Sequence, residues 1–168
     1  MKRQKGFSLI ELLIVVAIIL IIAAIAIPNL LKSKMAANES SAVGSLRTIN
    51  TGEVTYAAAC PANGYSATLV EMNTGGVCPS GAGIIDNVLG GADPSTKSGY
   101  TFAYTAGAAG ANGVVNSYAA TGTALTNNVT GNRMFCTDQS GVIRYTPNSA
   151  GCVVPAVGAT TGGSPALQ

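Results

Sequence analysis

From Leu12 to Ile27 the chain carries no polar side chain at all. Together with Phe7–Ile10 this makes a 21-residue run broken only by Ser8 and Glu11. At ~1.5 Å per residue such a helix is about 31 Å long, the thickness of a bilayer's ~30 Å hydrocarbon core. The run therefore reads as one membrane span. Lys2, Arg3 and Lys5 precede it, and beyond residue 6 the remaining basic residues leave a net charge of −1 against seven acids. A basic start before an apolar run also suits a secretory signal peptide. This run, however, is longer than the usual ~7–15 apolar residues, and it passes into Pro28-Asn29 with no small-residue exit site. A plain N-terminal anchor explains the length but not Glu11, because a carboxylate inside a span costs about 2.5–3.5 kcal/mol at the centre and usually marks a function.

Composition narrows the chemistry. The 168 residues contain no His and no Trp, and only 10% are charged. Without His there is no Ser-His or Cys-His nucleophile pair and no neutral imidazole ligand. A formal charge of +2 is too small for nucleic-acid binding built on bulk charge. The sequence thus predicts no catalytic residue, no cofactor, no metal site and no small-molecule substrate.

Gly6-Phe7-Ser8-Leu9-Ile10-Glu11-Leu12-Leu13-Ile14-Val15-Val16 resembles the processing motif of type IV prepilins: a short basic leader, Gly, a residue that is usually Phe, and Glu five places into the mature chain. Ala26-Ile27-Pro28-Asn29, the Leu30–Glu53 segment and Phe135-Cys136-Thr137-Asp138-Gln139-Ser140-Gly141-Val142-Ile143-Arg144 are similar to type IVa pilins with small heads. The resemblance is strong over residues 1–56, patchy to about Arg144 and absent from the last twenty or so residues. It implies cleavage between Gly6 and Phe7 by a prepilin peptidase that also N-methylates Phe7. It further implies insertion in the inner membrane with the N-terminus cytoplasmic and the head outside. Platform proteins and minor pilins then help drive assembly into an extracellular helical homopolymer, of the kind used in adhesion, surface motility and DNA uptake. Glu11, Phe7 and Pro28 become the assembly residues. Glu11 of an arriving subunit is expected to pair with the Phe7 amine of its neighbour, against the alternative of a Glu11 that merely snorkels to the interface.

The residues support each role physically. Gly6 has no side chain to obstruct a narrow acceptor site, and cleavage after it leaves a positive amine at the membrane surface. Glu11 lies about 6 Å of helix from that amine, and an ion pair in lipid is far stronger than in water. Pro28 removes one N–H and crowds the carbonyl four residues back, so it is expected to kink or open the helix around Ala24–Pro28, and the resemblance implies a locally melted segment there within the fibre.

Beyond Pro28 a stripe of Leu31, Met35, Ala42, Leu46, Ile49 and Tyr56 keeps one helical face, weakened by Gly44 and Gly52. The helix is expected to run from Phe7 to about Ala59, where Cys60-Pro61 stops it. In the head, Tyr100, Phe102 and Tyr104 alternate with smaller residues, and Val114–Thr121 is a second candidate strand. Arg133–Thr137 and Val142–Thr146 flank Asp138-Gln139-Ser140-Gly141 as a hairpin. Residues 61–98 read mainly as loop with a short helix near Ile84–Leu89, and Asp86 and Asp93 as solvated loop residues. The expected fold is α+β, a long helix on a small antiparallel sheet of four strands. Its divisions are leader 1–6, apolar helix 7–28, amphipathic helix 29–59, head 60–152 and a low-complexity tail 153–168.

Cys60, Cys78, Cys136 and Cys152 are even in number and lie outside the span. Four cysteines allow three pairings. Zinc is the rival, but it favours C-x₂₋₄-C spacings. Local disulfides, Cys60–Cys78 and Cys136–Cys152, close two short loops and are the favoured reading. A pseudopilin of a type II secretion machine shares the N-terminus, yet such heads often hold calcium through clustered acids, and Asp138 is the only acid after residue 100. An anchored enzyme is the third class and has no catalytic constellation to build on.

Overall fold

The computed structural model describes residues 7–74, 83–147 and 151–152. One helix, α1 (Leu9–Ala59), is followed by α2 (Leu69–Thr74), α3 (Asn87–Gly90), β1 (Ser95–Lys97), β2 (Tyr100–Ala106), β3 (Tyr118–Ala124), β4 (Arg133–Asp138) and β5 (Arg144–Pro147). The strands form one antiparallel sheet in chain order, β1-β2-β3-β4-β5. The expected α+β class is thus the observed one. By compactness the chain divides into Met1–Lys34 and Met35–Gln168.

Within the first unit α1 begins at Leu9, two residues later than expected, and Pro28 sits inside it without ending it. The helix thus continues past the proline in the single subunit. A proline removes one hydrogen bond from the ladder, while the Ala- and Ile-rich turns before it and the Asn29–Met35 turns after it stay helical. Leu31, assigned to the buried stripe, is 54% exposed.

In the second unit the stripe is the core. Ala42, Leu46, Ile49 and Tyr56 are buried with Tyr100, Phe102, Tyr104, Tyr118, Ala120 and Phe135. Large rings on β2 face small residues on β3: Phe102 lies opposite Gly122 and Tyr104 opposite Ala120. A Cβ on Gly122 would come within 3.1 Å of the Phe102 ring and 3.9 Å of Leu46. The small residues of β3 thus make room for aromatic side chains beneath the helix. Gly52, read from sequence as a weak point, is a close-packing site where a Cβ would lie 2.9 Å from Ile85 and 3.2 Å from the Met72 sulfur.

Several expected boundaries shift. The sheet has a fifth strand, β1, too short and polar to show a period. β3 starts at Tyr118 rather than Val114, because Val114 and Val115 serve the preceding loop, where the Val115 amide donates to the Asn63 carbonyl (2.9 Å). The hairpin connection runs from Gln139 to Ile143, so β5 starts at Arg144. α2 occupies part of the segment read as loop. Thr68 caps it, its hydroxyl accepting the Glu71 amide (3.3 Å). The short helix expected near Ile84–Leu89 is α3, with Asp86 as its N-cap through the Leu89 amide (2.8 Å). Asp86 and Asp93 are therefore structural rather than merely solvated. Asp86 also pairs with Lys97 (2.8 Å), which holds its carboxyl below the usual range, and Asp93 accepts the Tyr104 amide (3.2 Å).

Candidate assembly site

Ser8 stands immediately before α1 and Glu11 is its third residue. Glu11 Oε2 accepts the backbone N–H of Ser8 at 3.0 Å. This is the returning half of a capping box, Ser-x-x-Glu, in which a first-turn carboxylate satisfies an amide that the helix leaves without a partner. The negative charge also sits where the helix dipole is positive. The Ser8-x-x-Glu11 spacing is the local signal of this cap. Phe7 is 80% exposed just ahead of it. Gly6 and the rest of the leader lie outside the described residues.

The large aliphatic residues from Leu9 to Ile27 are all exposed. Leu9, Leu12, Leu13, Val16, Ala17 and Leu20 line a shallow apolar concavity of about 400 Å³ along one side of the helix. This part of α1 is long and apolar enough to cross a membrane, and its most apolar stretch has no buried residue. Such a surface requires either lipid or other apolar surfaces of the same length.

The head is held by polar contacts that local sequence patterns do not show. Glu53 is fully buried on α1 and accepts the Ser66 amide (3.0 Å) and hydroxyl (2.6 Å). Tyr104 donates to the Ser66 carbonyl at 2.9 Å. Burial pushes the Glu53 carboxyl upward, against the lowering effect of the Ser66 bonds. Burial also raises the Tyr104 and Tyr118 hydroxyls, with the Glu53 charge adding to both. Glu39 takes the Asn132 amide (2.8 Å), the Arg133 amide (3.2 Å) and both Nε (2.8 Å) and a terminal nitrogen (2.7 Å) of the Arg133 guanidinium. That guanidinium lies over the Phe135 and Tyr145 rings at 5.5 and 5.6 Å. Asn50 joins the helix to β3 and the β4–β5 connection, accepting from the Tyr118 hydroxyl (2.9 Å) and donating to the Gly141 carbonyl (3.1 Å).

Cys136 and Cys152 form a disulfide with Cα atoms 5.8 Å apart, and a closed loop of this size stabilises by about 3 kcal/mol in the chain-entropy model. Cys60 is also disulfide-bonded, while Cys78 lies outside the described residues. Asp138 is buried and accepts the amide of Ser140 (2.8 Å) and its hydroxyl. Among the described residues no three Cys, Asp or Glu side chains gather as a metal site.

Residues 1–27 match the family profile described as the prokaryotic N-terminal methylation motif. The chain is 48% identical over 54 residues to the type IV major pilin protein PilA of Myxococcus xanthus, covering 32% of this chain and 24% of that protein. It is 60% identical over 40 residues to the type IV wide pilus major component PilA4 of Thermus thermophilus, covering 24% and 30%. To a fimbrial protein of Pseudomonas aeruginosa it is 79% identical over 29 residues, covering 17% and 19%. The N-terminal segment is similar to those of type IV pilins. The chain spans less than a third of the length of each of these relatives. No solved structure matches it. The pilins it matches are structural subunits, not enzymes.

Proposed function

We propose that the chain is the polymerising subunit of a bacterial type IV pilus. In this reading a prepilin peptidase cuts between Gly6 and Phe7 and methylates the new amine. The subunit then waits in the inner membrane with its head outside the cytoplasm. Platform proteins and minor pilins move it into a helical fibre, where the Phe7–Ile27 segments leave lipid and bury one another. Cys60–Cys78 is the second disulfide of the head.

The observation that carries the proposal is an exposed aliphatic helix with one carboxylate in its first turn. Lipid satisfies the aliphatic surface but not the charge. In the single subunit Glu11 has the Ser8 amide, which is a dipole and not a counter-ion. The Phe7 amine of a neighbour supplies the missing positive charge, and in a low-dielectric fibre core this fixes axial register. Pro28 assists by leaving the Ala24 carbonyl without its ladder partner, a place where the helix can open as subunits pack.

The test compares membrane-resident subunit with sheared filament in the same cells. Wild-type filaments should be long and built from subunits that begin at N-methylated Phe7. Glu11→Leu should insert and be processed, yet yield few or no filaments. Wild-type filament yield from that variant refutes the charge pairing. Filaments retaining Met1–Gly6 refute the processing site, and short fibres confined to the envelope favour the pseudopilin reading.

A further inference from the structure

Two Asn-Gly steps lie in the head, Asn63-Gly64 and Asn112-Gly113. In such a step the glycine amide nitrogen can attack the asparagine side-chain amide carbon, because glycine has no Cβ to shield its own nitrogen. The structure treats the two steps differently.

Asn112 and Gly113 are exposed, in the connection between β2 and β3. A Cβ on Gly113 would meet nothing within 4 Å. The Val114 N–H donates to Asn112 Oδ1 at 3.2 Å. That bond folds the side-chain amide back over the turn, toward the Gly113 nitrogen that lies between the two bonded groups. It also places a donor on the oxygen where negative charge develops during attack, the arrangement that favours a tetrahedral intermediate. The Gly113 N–H itself donates to the Gly110 carbonyl at 2.9 Å, so one ordinary backbone bond must open first.

Asn63 is held on more sides. Its side chain hydrogen-bonds Tyr56, and its carbonyl accepts the Val115 amide at 2.9 Å. Gly64 donates to the Cys60 carbonyl at 3.1 Å. It is pressed so closely on Val115 that a Cβ would lie 2.1 Å from the Val115 oxygen. Attack here requires the side chain to leave Tyr56 and the backbone to leave Val115.

We propose that Asn112 is a self-modifying site at which the folded head converts asparagine to aspartate and isoaspartate. The Gly113 nitrogen loses its proton to solvent base and bonds to Asn112 Cγ. The side-chain nitrogen leaves as ammonia, and a five-membered succinimide closes. Water then adds to either ring carbonyl and breaks that carbonyl's bond to the ring nitrogen. One product keeps the original backbone with a carboxylate side chain. The other routes the backbone through Cβ and lengthens the connection by one carbon. No oxidant, enzyme or metal takes part, and water is the only co-reactant. Either product adds a negative charge to an exposed loop, on a chain whose residues beyond 6 already sum to −1.

The experiment incubates the oxidised full chain in detergent micelles, in mildly alkaline heavy-oxygen water, and maps both peptides by mass spectrometry over time. A parallel sample is reduced and denatured. In the folded chain the 112 peptide should take up label at least about tenfold faster than the 63 peptide, since each extra backbone bond to be opened is worth about a factor of ten. In the denatured chain the two rates should converge. Gly113→Ala should slow the reaction at 112 and leave that at 63 unchanged. Equal rates in the folded chain overturn the proposal, as does faster conversion at 63. A 112 peptide that stays intact when folded but converts when denatured overturns it as well, because the fold then protects the site.

Discussion

Glu53 is the residue whose perturbation tests most directly how the head is held together. Its side chain is buried, with no cation bonded to it among the described residues, and both carboxylate oxygens are taken by Ser66, one by the amide and one by the hydroxyl. Glu53→Ala removes the acceptor for both donors and opens a void in a packed site. An unsatisfied buried donor costs about 1–3 kcal/mol, so the two together with the void give a loss of about 3–5 kcal/mol. Glu53→Gln keeps an acceptor for the Ser66 amide and can donate to the hydroxyl oxygen, while removing the charge that burial disfavours. It should match the wild type at neutral pH or exceed it. The pH dependence has a fixed sign. Burial raises the folded carboxyl above the ordinary value of 4.5, so the folded state binds this proton more tightly than the unfolded chain. The corresponding stability is fully present below the ordinary value and is lost as pH rises through the folded one. Denaturant unfolding of the full chain in micelles, followed by tyrosine near-UV dichroism, reads all three proteins across the acid range. Wild type should lose stability over that window relative to Glu53→Gln. If Glu53→Gln is as damaging as Glu53→Ala, or if the two pH profiles are parallel, the carboxylate is not disfavoured by burial and the reasoning fails.

Three further outcomes follow from the packing and the charges. Gly44→Ala should stabilise the head by up to about 1 kcal/mol, since nothing lies within 4 Å of the new Cβ, whereas Gly52→Ala should fail to stabilise because its Cβ meets Ile85 at 2.9 Å; equal midpoints for the two variants would contradict the packing at Gly52. Glu39→Ala should cost about 2–4 kcal/mol, more than Arg133→Met, because it abandons two backbone amides as well as the guanidinium, while methionine keeps the contact with Phe135 and Tyr145; the reverse order in the same unfolding assay would make the cation–ring contact the stronger element. Burial pushes the Tyr100 hydroxyl up to about 12 from an ordinary 10.0, so its contribution to stability holds below the ordinary value and is lost as pH rises toward the raised one; Tyr100→Phe should delay alkaline unfolding and remove one late-titrating tyrosinate from the absorbance curve.

Local chemistry was legible wherever it repeats at short range. The apolar run, the stop at Cys60-Pro61, the stripe through Ala42, Leu46, Ile49 and Tyr56, and the alternation of Tyr100, Phe102 and Tyr104 each report a period of one element. Two helix starts were legible in the same way but went unread. Ser8-x-x-Glu11 and Thr68-x-x-Glu71 both carry the capping signature, and the structure uses both carboxylates on backbone amides near the helix start. Pro28 does not end the helix in the single subunit. Its local rule describes one lost hydrogen bond and one steric contact, and a long helix absorbs both without ending.

What only the tertiary structure decided are the pairings across the chain. Glu39 meets Arg133 across 94 positions, and Asn50 meets Gly141 across 91. Glu53 finds Ser66 only because the helix end and the following loop fold back on each other. Gly52 packs closely on Ile85 and Met72, and Gly122 on Phe102. No period links such residues, since their contact depends on how whole elements pack and the sequence records only which residues are near along the chain. The sequence by itself determined that residues 7–27 form a membrane-length apolar segment bearing one carboxylate, because hydrophobic length and a lone charge are properties of a segment. Tertiary packing decided which acids are buried, which glycines are close-packed and where the sheet begins, because burial belongs to a residue's neighbours and not to the residue.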